Sequence, residues 1–254
     1  MEKALATMNK NANIVTVTKD ITKNRRPQNM SRYKRQNMIV PDTIHTEPVA
    51  IIGCGAIGRQ VILQLASMGV TKFALYDFDQ VDETNICTQG YKECQMGEKK
   101  VLVMQDAVHE INSEAEVGAM CVKFTEHSLP FLAKVQKRFK WEKPIKTIFC
   151  CVDSITARER IFEAVKEDCE FFVDGRMTAE SLRVLTVTDD KEYYPTTIFP
   201  QEEAQGGQCT AKSTIYCANI AAGMMCSQYT KHLRSFALSQ DLLFNILGEV
   251  LETV

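Results

Sequence analysis

The segment Gly53-Cys54-Gly55-Ala56-Ile57-Gly58 restricts the possible folds of this chain more than any other stretch. Before it stands Pro48-Val49-Ala50-Ile51-Ile52, an apolar run without polar alternation, which suits a strand buried on both faces. After it, Val61, Ile62, Leu65 and Met68 recur at helical spacing, with Gly69 as a stop. In a Gly-x-Gly-x-x-Gly turn the first glycine permits the tight bend. The second lets a phosphate-bearing ligand approach the backbone, and the third lets helix and strand pack closely. The helix start adds free N–H groups and the positive end of a dipole. Asp77 follows 19 residues after Gly58, at the end of the next apolar run, Lys72–Tyr76. A carboxylate there accepts hydrogen bonds from ribose hydroxyls, so strand, turn, helix and acid together predict an adenine nucleotide at Gly53, Gly55, Gly58 and Asp77.

The remainder repeats the alternation. Strands are predicted at Val117–Phe124, Thr147–Val152, Phe171–Asp174 and Ser181–Thr188, and helices at Lys99–Ile111, Leu129–Phe139, Ile155–Val165 and Ala211–Lys231. Leu233–Phe236 reads as a further strand and Leu242–Glu252 as a final short segment. Asp189–Cys209 reads as an irregular loop of a length that is often functional. The expected fold is α/β: a Rossmann-like, doubly wound, mostly parallel sheet with helices on both faces. Residues 1–30 are polar and read as a flexible arm, with a short strand at Asn13–Thr18, and residues 31–254 as one domain.

Composition narrows the class. A net charge of −2 over 254 residues argues against nucleic acid or an anionic membrane as the main partner. The first 30 residues lack the apolar core of a signal peptide, and no apolar run approaches the roughly 18 residues of a spanning helix. The expected location is therefore the cytoplasm. There the ten cysteines read as free thiols, and without a Cys-x-x-Cys pair no structural zinc is expected.

A dinucleotide site explains Gly53–Gly58 and Asp77, but not the residues from Asp79 onward. Asp77-Phe78-Asp79-Gln80-Val81-Asp82-Glu83-Thr84-Asn85 is an acidic strand end leading to an asparagine. Lys100 follows Gly97-Glu98-Lys99, and Asp153 closes the strand before Arg158. Asp79 and Asp153 suit a magnesium ion and Lys100 suits phosphate, a set matched to ATP cleaved between its α- and β-phosphates. A nicotinamide oxidoreductase is correspondingly disfavoured.

With these residues in place, the chain resembles the ThiF/MoeB/HesA adenylyltransferases, the fold shared with ubiquitin-activating enzymes. The resemblance covers roughly residues 31–230. Ser31-Arg32-Tyr33-Lys34-Arg35-Gln36 resembles the family's Arg-Tyr-x-Arg-Gln opening, and Asp77-Phe78-Asp79-x-Val81 with Asn85 its Asp-x-Asp-x-Val…Asn segment. Lys100 and Asp153 fall at the family's lysine and its aspartate after the fourth strand. The resemblance implies that the C-terminal carboxylate of a small ubiquitin-like or sulfur-carrier protein is adenylated by ATP with release of pyrophosphate. It implies ribose on Asp77, phosphates on Asn85 and Lys100, and magnesium on Asp153. It also implies that Arg35 reaches the phosphates of a neighbouring subunit, hence a homodimer. Asp153 is also placed to be a helix N-cap, and Lys100, beside Lys99, to lie on a solvated helix face.

One position departs from the family pattern. The arginine usual three residues after the asparagine is replaced by Thr88, with Arg59 or Lys92 as candidates to compensate. The departure keeps open a catalytically weak or silent scaffold that binds nucleotide and a partner. Adenylation of a small-molecule or tRNA-borne carboxylate is a further alternative. Cys209, expected at the start of the helix after the long loop, reads either as a thioester- or persulfide-forming nucleophile or as a structural cysteine. Arg176, after Asp174-Gly175, reads either as a contact for the carrier's tail or as a surface salt bridge.

Overall fold

Four residues with no polar side chain, Val49-Ala50-Ile51-Ile52, form the central strand β1, and all four are buried. A strand with its period of two can be buried throughout only if both faces of the sheet are covered. The computed structural model, which describes residues 30–125, 128–204 and 214–253, meets that condition. Val49 and Ile51 face one hydrophobic cluster together with residues of α1 (Ala56–Met68), α3 (Lys100–Ile111) and α8 (Ile215–Leu233). Ala50 and Ile52 face the other, with residues of α4 (Leu129–Phe139), α5 (Ile155–Val165) and α6 (Tyr193–Thr196).

The remaining strands are β2 (Lys72–Tyr76), β3 (Glu116–Met120), β4 (Thr147–Cys150), β5 (Phe171–Thr178), β6 (Ser181–Val187), β7 (Asp241–Asn245) and β8 (Val250–Thr253). They form one eight-stranded sheet in the order β3-β2-β1-β4-β5-β6-β7-β8. The first five strands are parallel, with Ile52 opposite Tyr76 on one side and Cys150 on the other. The last three are antiparallel. Strand order reverses between β1 and β4, and at such a switch point the helices diverge to opposite faces and leave a crevice at the carboxyl ends. The doubly wound architecture read from the sequence is therefore the one observed.

Several local expectations change. Leu233–Phe236 is not a strand: α8 continues to Leu233 and ends in a turn with Ser235 at φ 55°. The final segment is instead the β7–β8 hairpin. β5 runs four residues beyond Asp174 because β6 pairs back along it as far as Thr178 opposite Ser181. The Asp189–Cys209 loop carries α6 and a second single turn, α7 (Gln201–Ala204). An unforeseen helix, α2 (Glu83–Gln89), follows the acidic strand end. The predicted arm and its strand at Asn13–Thr18 lie outside the described residues, as does Cys209. No helix among the described residues is long and apolar enough to cross a membrane.

Candidate nucleotide site

At the carboxyl end of β1 the chain must turn sharply into α1, and the glycines divide that task. Gly53 adopts φ +97°, and a Cβ on it would stand 2.6 Å from the Cys151 carbonyl oxygen. A Cβ on Gly58 would stand 1.8 Å from the Gly53 carbonyl oxygen. Those two positions exclude a side chain by packing. Gly55 differs, because the nearest atom to a Cβ there is Gln89 Oε1 at 4.0 Å. The protein leaves room above Gly55, where the α1 N-terminus has no side-chain cap to take its free N–H groups.

Asp77 closes the turn from the end of β2. One carboxylate oxygen accepts the Cys54 N–H at 2.6 Å and the other the Asp79 N–H at 2.8 Å. Burial raises its pKa, opposed by those two N–H groups and by the Lys100 charge. Lys100 is only 5% exposed, which overturns the alternative of a solvated helix face. Its Nζ lies 3.3 Å from Asp79 Oδ2. The register of 79–82 against 97–100 holds it there, with the Lys100 N–H on the Asp79 carbonyl at 3.1 Å and the Val81 N–H on the Glu98 carbonyl at 2.9 Å. A buried ammonium therefore faces two carboxylates at the mouth of the crevice.

Asn85 is buried on α2 in a reciprocal capping box. Its backbone N–H donates to Asp82 Oδ1, and its Oδ1 accepts the Asp82 N–H at 3.2 Å. Its carbonyl is thereby committed to the helix start, and its amide NH2 donates one hydrogen to Thr84 Oγ1 at 3.4 Å, which leaves the second for an anion. Asp153 stands exposed after β4. It is not the helix cap: Ser154 Oγ accepts the Ala157 N–H, and Gln201 Oε1 from α7 takes the Ile155 N–H at 2.7 Å. Of the two carboxylates the sequence suggested for magnesium, Asp79 is paired with Lys100 and Asp153 is exposed. Among the described residues no group of three or more metal-binding side chains converges, and an ion held largely by phosphate and water needs only one or two carboxylates.

Arg35 is exposed and not brought to this site. Its segment is pinned to the opposite end of α1 by Gln36 Nε2 donating to the Met68 carbonyl at 3.1 Å. Thirteen helical residues separate the two ends, about 20 Å. Arg176 is neither a tail contact nor a surface bridge. Its Nε donates to Asp174 Oδ2 at 2.7 Å and its Nη1 to the Thr197 carbonyl at 2.8 Å, both buried. Arg158 is likewise buried, paired with the other Asp174 oxygen and with the Val152 carbonyl. The helix expected to start at Ala211 begins at Ile215 with Thr214 as its N-cap. Cys209, five positions before that cap in the sequence, lies outside the described residues.

The sequence reading missed Tyr91. Its buried hydroxyl donates to the Cys54 carbonyl at 2.6 Å, bracing the glycine turn from behind α2. The only signal was Gly90, which ends α2 in a left-handed conformation and turns the chain back.

The ThiF family matches residues 33–245 of the chain. Ubiquitin-like modifier-activating enzyme 5 of Caenorhabditis elegans is 23% identical over 222 residues, which are 82% of this chain and 53% of that protein. Adenylyltransferase and sulfurtransferase MOCS3 of Dictyostelium discoideum is 32% identical over 111 residues, 41% of this chain and 26% of that protein. The chain thus spans about half the length, or less, of the curated relatives it matches. Escherichia coli MccB, solved with ATP, superposes with a TM-score of 0.65 at 17% identity over 89% of this chain and 72% of that one, a likeness of fold.

Proposed function

The chain belongs to the ThiF family, and on that premise we propose that it uses ATP to adenylate the C-terminal carboxylate of a small ubiquitin-like protein, sulfur-carrier protein or peptide. The observation that carries this reading is Lys100. A lysine 5% exposed, beside Asp77 and Asp79 at the carboxyl edge of the sheet, is a cation held in place before any ligand arrives. A dinucleotide turn has no use for it, whereas phosphoryl chemistry depends on fixed positive charge where negative charge develops. In the proposed reaction a carrier carboxylate oxygen attacks the α-phosphorus, the bond to the bridging oxygen breaks, and pyrophosphate leaves with the electron pair.

In this reading each residue has a role. Asp77 holds the ribose, the N–H groups over Gly55 receive phosphate, and Asn85 and Lys100 steady the charge. Asp153 would hold magnesium, which would neutralise phosphate charge. Arg35, remote from the site of its own chain, acts on that of a second copy in a homodimer. Cys209 stays a candidate nucleophile for a later covalent step.

Labelled pyrophosphate incubated with the protein, ATP, magnesium and candidate carriers tests this reading. Exchange of label into ATP that requires a carrier with a free C-terminal carboxylate is the expected outcome. A second reading rests on Thr88, whose hydroxyl donates to the Thr84 carbonyl at 2.7 Å and brings no charge to the site. ATP binding without exchange for any carrier would favour that reading, a silent partner. A covalent carrier adduct released by thiol and absent in Cys209→Ala would support the nucleophile.

A further inference from the structure

We propose that Arg59, on α1, supplies the positive charge at the pyrophosphate end of the nucleotide that position 88 of α2 lacks. The proposal rests on the nucleotide reading above and assigns a positioning role inside that site.

Four observations converge on Arg59. First, its guanidinium crosses from α1 to the end of α2: Nη1 stands 3.1 Å from where a Cβ on Gly90 would be, two residues beyond Thr88. Second, its Cζ lies 5.3 Å from the centre of the Tyr91 ring, whose hydroxyl is bonded to the Cys54 carbonyl of the glycine turn. The cation is therefore carried by the residue that braces the phosphate turn. Third, its Nε is buried without a hydrogen-bond partner among the described residues, and so is Gln89 Oε1, the atom nearest the open face of Gly55. A buried polar atom left unpaired is costly, so two at one turn call for a reason. Fourth, no carboxylate pairs with Arg59 among the described residues, whereas the buried Arg158 and Arg176 share Asp174. Partial burial lowers the Arg59 pKa, opposed by Tyr91.

Lys92, the other candidate, is exposed. Arg59 is half-buried, starts on the helix that receives the phosphates, and ends beside the helix that would have carried the arginine. A cation missing from one wall of the crevice is thus delivered from the adjacent wall.

Titration calorimetry of the full chain with ATP and with AMP, both in magnesium buffer, tests the assignment. Arg59→Ala is expected to weaken ATP about tenfold or more, the loss of a charge-assisted contact, while AMP, which lacks the β- and γ-phosphates, changes less than twofold. Unchanged AMP affinity also reports an intact fold. Adding Thr88→Arg to Arg59→Ala is expected to restore ATP affinity in part. Equal losses for ATP and AMP, or no loss for either, would overturn the role of Arg59 while leaving the nucleotide site standing. A wild-type chain that binds neither ligand would overturn the underlying reading and this proposal with it.

Discussion

At the scale of single residues, the three glycines of the turn have separable duties. Gly58 has no room for a methyl group, because the Gly53 carbonyl oxygen would lie 1.8 Å away and belongs to the backbone. Gly58→Ala should destabilise the fold by about 1–3 kcal/mol through overpacking and also abolish nucleotide binding. Gly55 does have room, with φ −73° and nothing nearer than 4.0 Å. Gly55→Ala should therefore leave the urea midpoint nearly unchanged while ATP affinity falls at least tenfold, since the methyl group occupies ligand space. Comparable loss of stability in both variants would refute this division. The motif was legible in the sequence as a pattern of glycines. Which glycine serves packing and which serves the ligand was not, because that depends on the Cys151 and Gln89 atoms brought up from other elements.

Among elements, polar side chains serve as fastenings. Asp174, fully buried on β5, accepts from Arg158 of α5, from Arg176 of its own strand, and from the Tyr194 hydroxyl of α6 at 2.9 Å. Removing the shared carboxylate leaves two buried guanidinium groups unpaired. Asp174→Asn should cost about 3–5 kcal/mol in chemical denaturation; a loss under 1 kcal/mol would deny the cluster its role. At the antiparallel edge, Asp241 accepts from Arg183 Nη2 at 2.6 Å and from the Tyr193 hydroxyl at 2.9 Å. Burial pushes its carboxyl up, but Arg183 and Tyr193 outweigh that and hold it below its ordinary 3.8. A carboxyl depressed in the folded state contributes stability above its unfolded pKa and loses it as pH falls through the folded value. The stability gap between the wild type and Asp241→Asn should therefore narrow below about pH 3.8, read as urea midpoints from pH 6 to pH 3. A gap constant with pH would contradict it. Helix α2 escaped the sequence reading because its seven residues, Glu-Thr-Asn-Ile-Cys-Thr-Gln, bury only Asn85. It is held by its Asp82–Asn85 cap, not by an apolar stripe.

Over the whole molecule, the crevice belongs to the topology. β1 lies between β2 and β4, and Asp77, Asp153 and the glycine turn stand after the carboxyl ends of these three strands, at the point where strand order reverses. A ligand there bridges both halves of the parallel sheet. ATP at 100 times its Kd should then raise the unfolding free energy by about 2.7 kcal/mol. Hydrogen-exchange protection should concentrate in residues 53–59, 77–89 and 97–100, and leave the β7–β8 hairpin unaffected. Protection of the hairpin instead would place the nucleotide elsewhere.

Periodicity, glycine placement and the order of strands and helices are local properties, and for this chain they determined the doubly wound sheet and the position of the glycine turn within it. The tertiary structure decided how each polar side chain is spent. Lys100 is buried against Asp79 and not solvated, Arg176 is tied to Asp174 and not offered to a partner, and Ser154 and not Asp153 caps α5. It also set Arg59 Nε and Gln89 Oε1, without partners among the described residues, beside the turn. The reason is physical. A backbone pattern is written in neighbouring residues, whereas the cost of burying a charge or a donor depends on partners distant in sequence.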